Sequence, residues 1–149
     1  ELTSHMLRLG IGQLLTCCRR FYDRQFDTKD LHSSDLGKRL DKMVDEYLSE
    51  GSKKLRIQGP PTVAWCAEQF HLTPSYFGDV VRREMGITPQ AFLQTKLIDR
   101  AKSLLASQEL TINEIAEELG FSYPNHFARL FRQKTGMSPS AFRRQLLKE

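Results

Sequence analysis

Apolar residues recur at helical spacing along most of the chain. In 74–85, Phe77, Val80 and Val81 fall at i, i+3 and i+4, and in 124–135 Phe127, Leu130 and Phe131 do the same. Each set marks one buried stripe on a helix whose other faces are polar. Phe92, Leu97, Ile98, Ala101, Leu104 and Leu105 carry the period through 88–107, and Leu36, Leu40, Met43, Val44, Tyr47 and Leu48 describe a further amphipathic helix ending at Gly51. Ile11, Leu14, Leu15, Cys18 and Tyr22 share one stripe of a helix over about 6–26. Residues 52–61, SKKLRIQGPP, read as a loop from their charge, glycine and paired prolines. No strand signal of any strength appears, so the expected class is all-α.

The pattern is written twice. Thr62-Val63-Ala64-Trp65-Cys66-Ala67-Glu68 matches Thr111-Ile112-Asn113-Glu114-Ile115-Ala116-Glu117 at an offset of 49. The offset then becomes 50: Phe77 matches Phe127, Val80-Val81 matches Leu130-Phe131, Gly86 matches Gly136, and Pro89-x-Ala91-Phe92 matches Pro139-x-Ala141-Phe142. Each copy opens with a short segment, 62–70 or 111–119, behind a Thr that can cap a helix; Thr111 and Glu114 have the capping-box spacing. Gly86 and Gly136 stand where a helix end wants a left-handed residue. Thr88-Pro89 and Ser138-Pro139 then restart a helix with a capping oxygen and proline at the first position. The predicted architecture is two helix-turn-helix units, about 62–85 and 111–135, joined by a linker helix over about 88–107 and preceded by N-terminal helices.

Composition narrows the class. The 149 residues carry 22 Lys+Arg against 18 Asp+Glu, and a chain of this length buries about two thirds of its unfolded surface without a metal or disulfide staple. The longest uncharged stretch of the first third, Leu9 to Cys18, is about half a bilayer span, and no other is long and apolar enough. The sequence starts at Glu1 without methionine and without a basic, apolar, small-residue order, so it reads as an excised fragment whose N-terminal part is missing. Cys17 and Cys18 are adjacent and Cys66 is distant, which suits reduced thiols in a cytoplasmic protein.

Two helices joined by a tight turn, the second polar outside, follow the plan that sets a helix in the DNA major groove; a plain helical hairpin is the bland alternative. Spacing favours the first. A 20-residue linker spans about 30 Å, close to the roughly 34 Å turn of B-DNA, so both second helices reach successive groove segments on one face. Charge adds to this. Residues 129–149 hold Arg129, Arg132, Lys134, Arg143, Arg144 and Lys148 against Glu149, a net of +5, while 109–118 holds four Glu and no base.

With IAEELGF followed by HFARLFRQKTGMSPSAFR, and CAEQFHLTPSYFGDVVRREMGITPQAF in the first copy, the paired units resemble the DNA-binding domain of AraC/XylS-type transcription regulators. The resemblance covers about 36–146, inside an expected DNA-binding domain of 36–149. Residues 6–30, with CCRRFYDRQF, resemble the helical tail of a sensory or dimerisation domain, here 1–30. The resemblance implies promoter DNA as partner and an effector pocket in the missing part. Contact with RNA polymerase is implied by the resemblance alone.

It also implies base contacts from the outer face of each second helix: Ser75, Gly78, Asp79 and Arg82 in the first copy, Asn125, Ala128, Arg129 and Arg132 in the second. Arg129 is the candidate for a bidentate guanine contact, its planar fork matching the O6 and N7 acceptors. Asn125 suits adenine or a cap. Arg82, Arg83, Arg132 and Lys134 suit phosphate, and Tyr76 and His126 suit helix packing with a polar tip toward phosphate. Two departures stand out. Asp79 accepts from a cytosine amine but repels phosphate, and His71 replaces Gly120 in the turn, where His tolerates the left-handed region better than most residues.

Rival classes have less support. The four His, three Cys and scattered carboxylates form no nucleophile-base, metal or phosphate-loop motif, so neither catalysis nor a cofactor is expected. Cys66-x4-His71 is at most half a zinc site, and Trp65 reads as core. Gly10-Ile11-Gly12 lacks the lysine of a phosphate loop. The alternative is a helical protein-interaction module that reads no DNA, because the stripe on 6–26 has no assigned partner and is open to homodimer pairing or to folding back on 36–50.

Overall fold

The computed structural model describes residues 33–49 and 52–147, and residues 36–149 form one compact unit. Among the described residues there are eight helices and no strand: α1 (Ser33–Ser49), α2 (Ser52–Gln58), α3 (Val63–Gln69), α4 (Pro74–Met85), α5 (Pro89–Ser107), α6 (Ile112–Glu118), α7 (Pro124–Thr135) and α8 (Pro139–Leu146). The helix expected over about 6–26, with Cys17 and Cys18, lies outside the described residues.

Local chemistry sets most helix starts. The hydroxyls of Thr62, Thr73, Thr88, Thr111 and Ser138 each accept from the backbone N–H three residues on, and prolines open α4, α5, α7 and α8. Thr111 and Glu114 form the full capping box, the Thr111 N–H donating to Glu114 Oε2 at 2.7 Å. Those bonds, backbone first, hold the Glu114 carboxyl below its ordinary value. Gly86 and Gly136 end α4 and α7 in the left-handed region.

One element departs from expectation. Residues 52–61 do not form a loop throughout, because Ser52–Gln58 is helical. Among its described side chains only Leu55, 2% exposed, is deeply buried, and the helix packs on α6. The Gly59 N–H closes it by donating to Leu55 O at 2.7 Å, with Gly59 at φ 79°. Charge and paired prolines hid the helix from the sequence, since a seven-residue helix draws its stability from docking rather than propensity.

The inner stripes build the core. Phe77, Val80 and Val81 close over Cys66 and Ala67 in the first unit, and Phe127 and Phe131 over Ile115, Ala116 and Leu119 in the second. Phe121, Phe127, Phe131 and Phe142 stack in series at centroid distances of 5.6, 5.8 and 5.4 Å. Helix α5 packs against α3, α4, α6, α7 and α8, supplying Phe92, Leu93, Leu97, Ile98, Ala101 and Leu105 to both units. Helix α1 covers the first unit. Tyr47 packs on Trp65 at 4.6 Å, the Arg39 guanidinium sits 5.3 Å over Phe70, and Lys96 of α5 pairs with Asp41 and with Asp45 at 3.0 Å. Burial works against the Lys96 charge, but the hydrogen bonds and attraction of the two aspartates outweigh it and raise its proton affinity above the usual lysine value.

The two turns are superimposable in their bonding and different in their surroundings. His71 N donates to Glu68 O and Leu72 N to Ala67 O, as Gly120 N does to Glu117 O and Phe121 N to Ala116 O, all at 2.9 Å. His71 adopts φ 55°, so histidine carries the turn, and it is exposed. Gly120, at φ 80°, lies against the end of α2: a Cβ there would sit 2.5 Å from Leu55 O and 2.9 Å from the Gly59 backbone. Gly120→Ala is therefore expected to destabilise the domain by about 2 kcal/mol or more, combining left-handed strain with a backbone clash. His71→Gly should change stability by under about 1 kcal/mol. Urea unfolding of both variants checks this, and equal effects would show that α2 does not press on the second turn.

Candidate nucleic-acid interface

The buried stripe of each second helix determines what its opposite face presents. In α4, Phe77, Val80 and Val81 point inward, which leaves Ser75, Asp79 and Arg82 exposed at i, i+4 and i+7, with Gly78 partly exposed beside them. In α7, Phe127 and Phe131 point inward and Asn125, Arg129 and Arg132 form the matching exposed line, with Ala128 partly buried. The residues expected to meet bases thus fall on one outward line in each copy.

Among the described residues, Arg82, Arg129, Arg132 and Lys134 make no ion pair or side-chain hydrogen bond, and neither does Asp79. Cations held in water without a partner are available to an incoming polyanion. Arg83 differs, since its Nε lies 3.2 Å from Glu84 Oε1. Tyr76 is partly buried, in keeping with packing. His126 is exposed, its ring set edge-on against Tyr123 at 5.4 Å rather than into the core. Asn125 is not the cap of α7; that position is Tyr123.

Two features of this region escaped the sequence. Arg143, counted among the C-terminal positive charges, is partly buried and donates from Nη2 to the Leu110 carbonyl at 2.7 Å. It ties the α5–α6 connection to α8 instead of facing solvent. Tyr123 is 65% exposed at the start of α7 and makes no side-chain cap bond. The repeat offered a signal for it, because the position 50 residues earlier is Thr73, a working cap. A missing cap costs about 1 kcal/mol, whereas each buried phenylalanine of the α7 stripe contributes about 1.5–3 kcal/mol. The helix therefore holds its place without the cap.

Cys66 and His71 do not converge on a metal. Cys66 is fully buried, His71 is exposed, and no group of three or more metal-capable side chains occurs among the described residues. Burial pushes the Cys66 thiol up to about 11, against a smaller opposing effect of its backbone hydrogen bond. Peptide mapping after iodoacetamide at pH 8 should find Cys66 unmodified in the folded protein and alkylated in denaturant. Rapid alkylation of the native state would contradict a sealed first core.

A family model described as a helix-turn-helix domain matches residues 66–145. The chain is 30% identical over 138 residues to the uncharacterised helix-turn-helix-type transcriptional regulator YijO of Escherichia coli, covering 93% of this chain and 45% of that protein. It is 31% identical over 144 residues to the uncharacterised regulator YfiF of Bacillus subtilis, covering 96% and 43%. The chain spans about half the length of the curated relatives it matches. Among solved structures, the C-terminal domain of the two-component response regulator YesN of Fusobacterium nucleatum superposes with a TM-score of 0.62 at 26% identity, over 73% of this chain and 98% of that one.

Proposed function

The chain belongs to the AraC-type helix-turn-helix family of transcription regulators, and from that premise we propose that residues 36–149 bind promoter DNA sequence-specifically, with α4 and α7 in successive segments of the major groove. The observation that carries this reading is the repeated outward line of unpaired polar side chains, Ser75, Asp79 and Arg82 on one helix and Asn125, Arg129 and Arg132 on the other. The 19-residue α5 between them spans about 28 Å, which suits two contacts about one helical turn of DNA apart.

The second unit is the stronger reader. Arg129 presents a free planar fork to guanine O6 and N7, with Asn125 one turn earlier able to meet adenine N6 and N7. Arg82, Arg132 and Lys134 meet phosphates, Arg83 joins them only by leaving Glu84, and Tyr76 offers its polar tip. Asp79, unpaired and flanked by Gly78, accepts from a cytosine amine where the groove is close and repels the backbone where it is not. The same premise makes the whole protein a cytoplasmic, non-catalytic regulator with its effector pocket N-terminal to this domain and RNA polymerase among its partners. A homodimer contact through 6–26 would set two such domains on one operator.

Selection from random duplexes at about 0.15 M salt, where non-specific affinity is weak, tests the reading. Two enriched blocks about one helical turn apart are expected. Arg129→Ala should cost about 1–3 kcal/mol on the selected site and relax one base position. Arg132→Ala should weaken all sequences alike and lower the salt slope by about one. An absence of any enrichment would favour the interaction module over a DNA reader.

A further inference from the structure

We propose that Tyr123 is a DNA-contact residue of the second unit, its phenolic hydroxyl donating to a backbone phosphate oxygen at the edge of the groove that α7 enters. The inference rests on the DNA-binding reading and adds a residue outside the exposed line of α7.

Three observations converge on it. First, Tyr123 breaks a rule that its own repeat obeys. At the matching position Thr73 accepts from Tyr76 N at 3.3 Å, and Thr62, Thr88, Thr111 and Ser138 cap their helices in the same way, whereas the Tyr123 side chain caps nothing. The first turn of α7 closes differently: His126 N donates to the Tyr123 carbonyl at 3.0 Å, where in α4 the equivalent N–H meets the Thr73 hydroxyl, while Pro124, like Pro74, has no N–H to satisfy. A tyrosine that forgoes a local stabilising bond, in a unit whose other junctions keep theirs, marks a place where another requirement outweighs stability.

Second, the ring is in water. Every other described Phe, Tyr and Trp is buried or partly buried, while Tyr123 stands 65% exposed. Burial therefore does not account for an aromatic residue at this position.

Third, the ring is held. His126 meets it edge-on at 5.4 Å and an interplanar angle of 62°, which restricts the side chain before any partner arrives. Tyr123, Asn125 and His126 thus form one exposed cluster at the N-terminal end of α7, the end from which a recognition helix reaches base edges. Tyr123 precedes the first helical turn and so flanks the groove instead of entering it. In a duplex the base faces are stacked away, and what a phenol meets at the groove edge is sugar and phosphate, with the hydroxyl as donor.

Two variants of the same chain separate contact from packing. Tyr123→Thr installs the cap of the first copy and removes the ring; Tyr123→Phe keeps the ring and removes the donor. Each is measured by thermal unfolding and by titration against the duplex selected with the parent and against a scrambled duplex, at two salt concentrations. The expected result is opposite signs for Tyr123→Thr, a melting temperature raised by a few degrees with affinity lowered about threefold to tenfold. For Tyr123→Phe the expectation is unchanged melting and about threefold weaker binding to both duplexes, with an unchanged salt slope because no charge is lost. Affinities within about twofold of the parent for both variants would overturn the proposal. A loss confined to one base pair would overturn the phosphate assignment. If the parent enriches no sequence and binds no duplex, the DNA-reading function itself fails and this inference falls with it; a parent that binds while both variants match it fails this inference alone.

Discussion

The second turn and the end of α2 meet backbone to backbone, and the arrangement of the domain depends on that approach. Gly120 leaves no room for a Cβ against Leu55 O and Gly59. The contact is extended on both sides: the Arg56 guanidinium reaches Glu118 at 2.9 Å, and the Tyr47 hydroxyl donates to the Gly59 carbonyl at 3.0 Å. Tyr47 in turn packs on Trp65 of the first unit. A continuous set of contacts therefore runs from the first helix-turn-helix through α1 and α2 to the second, in parallel with α5. Two routes of connection restrain the units more than a single helix joined at its ends would.

That restraint matters because each unit is small. A seven-residue first helix and a twelve-residue second helix are too short to persist alone, so both draw stability from shared burial on α5. Once Phe77, Val80, Val81, Phe127 and Phe131 are turned inward, helical periodicity leaves the 75/79/82 and 125/129/132 lines no choice but to face out. The outward face of each second helix is in this sense a consequence of the core. The side chains on it are then free to be chosen for chemistry, and the two copies differ there: Asp79 in one line stands where Arg129 stands in the other.

The legible parts of the fold and the missed parts differ in kind. Caps at Thr62, Thr88, Thr111 and Ser138, the left-handed ends at Gly86 and Gly136, and the tolerance of His71 for the left-handed region were all readable, because each depends on residues within a few positions of itself. Outward placement of Ser75, Asp79, Asn125 and Arg129 followed from the 3.6-residue period. Helix α2 was not readable, since SKKLRIQ is helical by virtue of Leu55 docking on α6. Nor was the fate of Arg143, which a count of charges places in solvent and the Leu110 carbonyl holds inside.

The sequence by itself thus determined the repeat, the helices of its two copies and the linker between them, most of their caps and the face each second helix turns outward, all through interactions whose range is one or two helical turns. Only the tertiary structure decided that 52–58 is a helix, that Gly120 admits no side chain while His71 at the equivalent turn does, that Arg143 is internal and that Tyr123 stands in water. The helix at 52–58, the closed second turn and the internal Arg143 turn on partners far away along the chain, 62 residues in the case of Arg56 and Glu118. No local pattern encodes the identity of a neighbour that folding alone brings close.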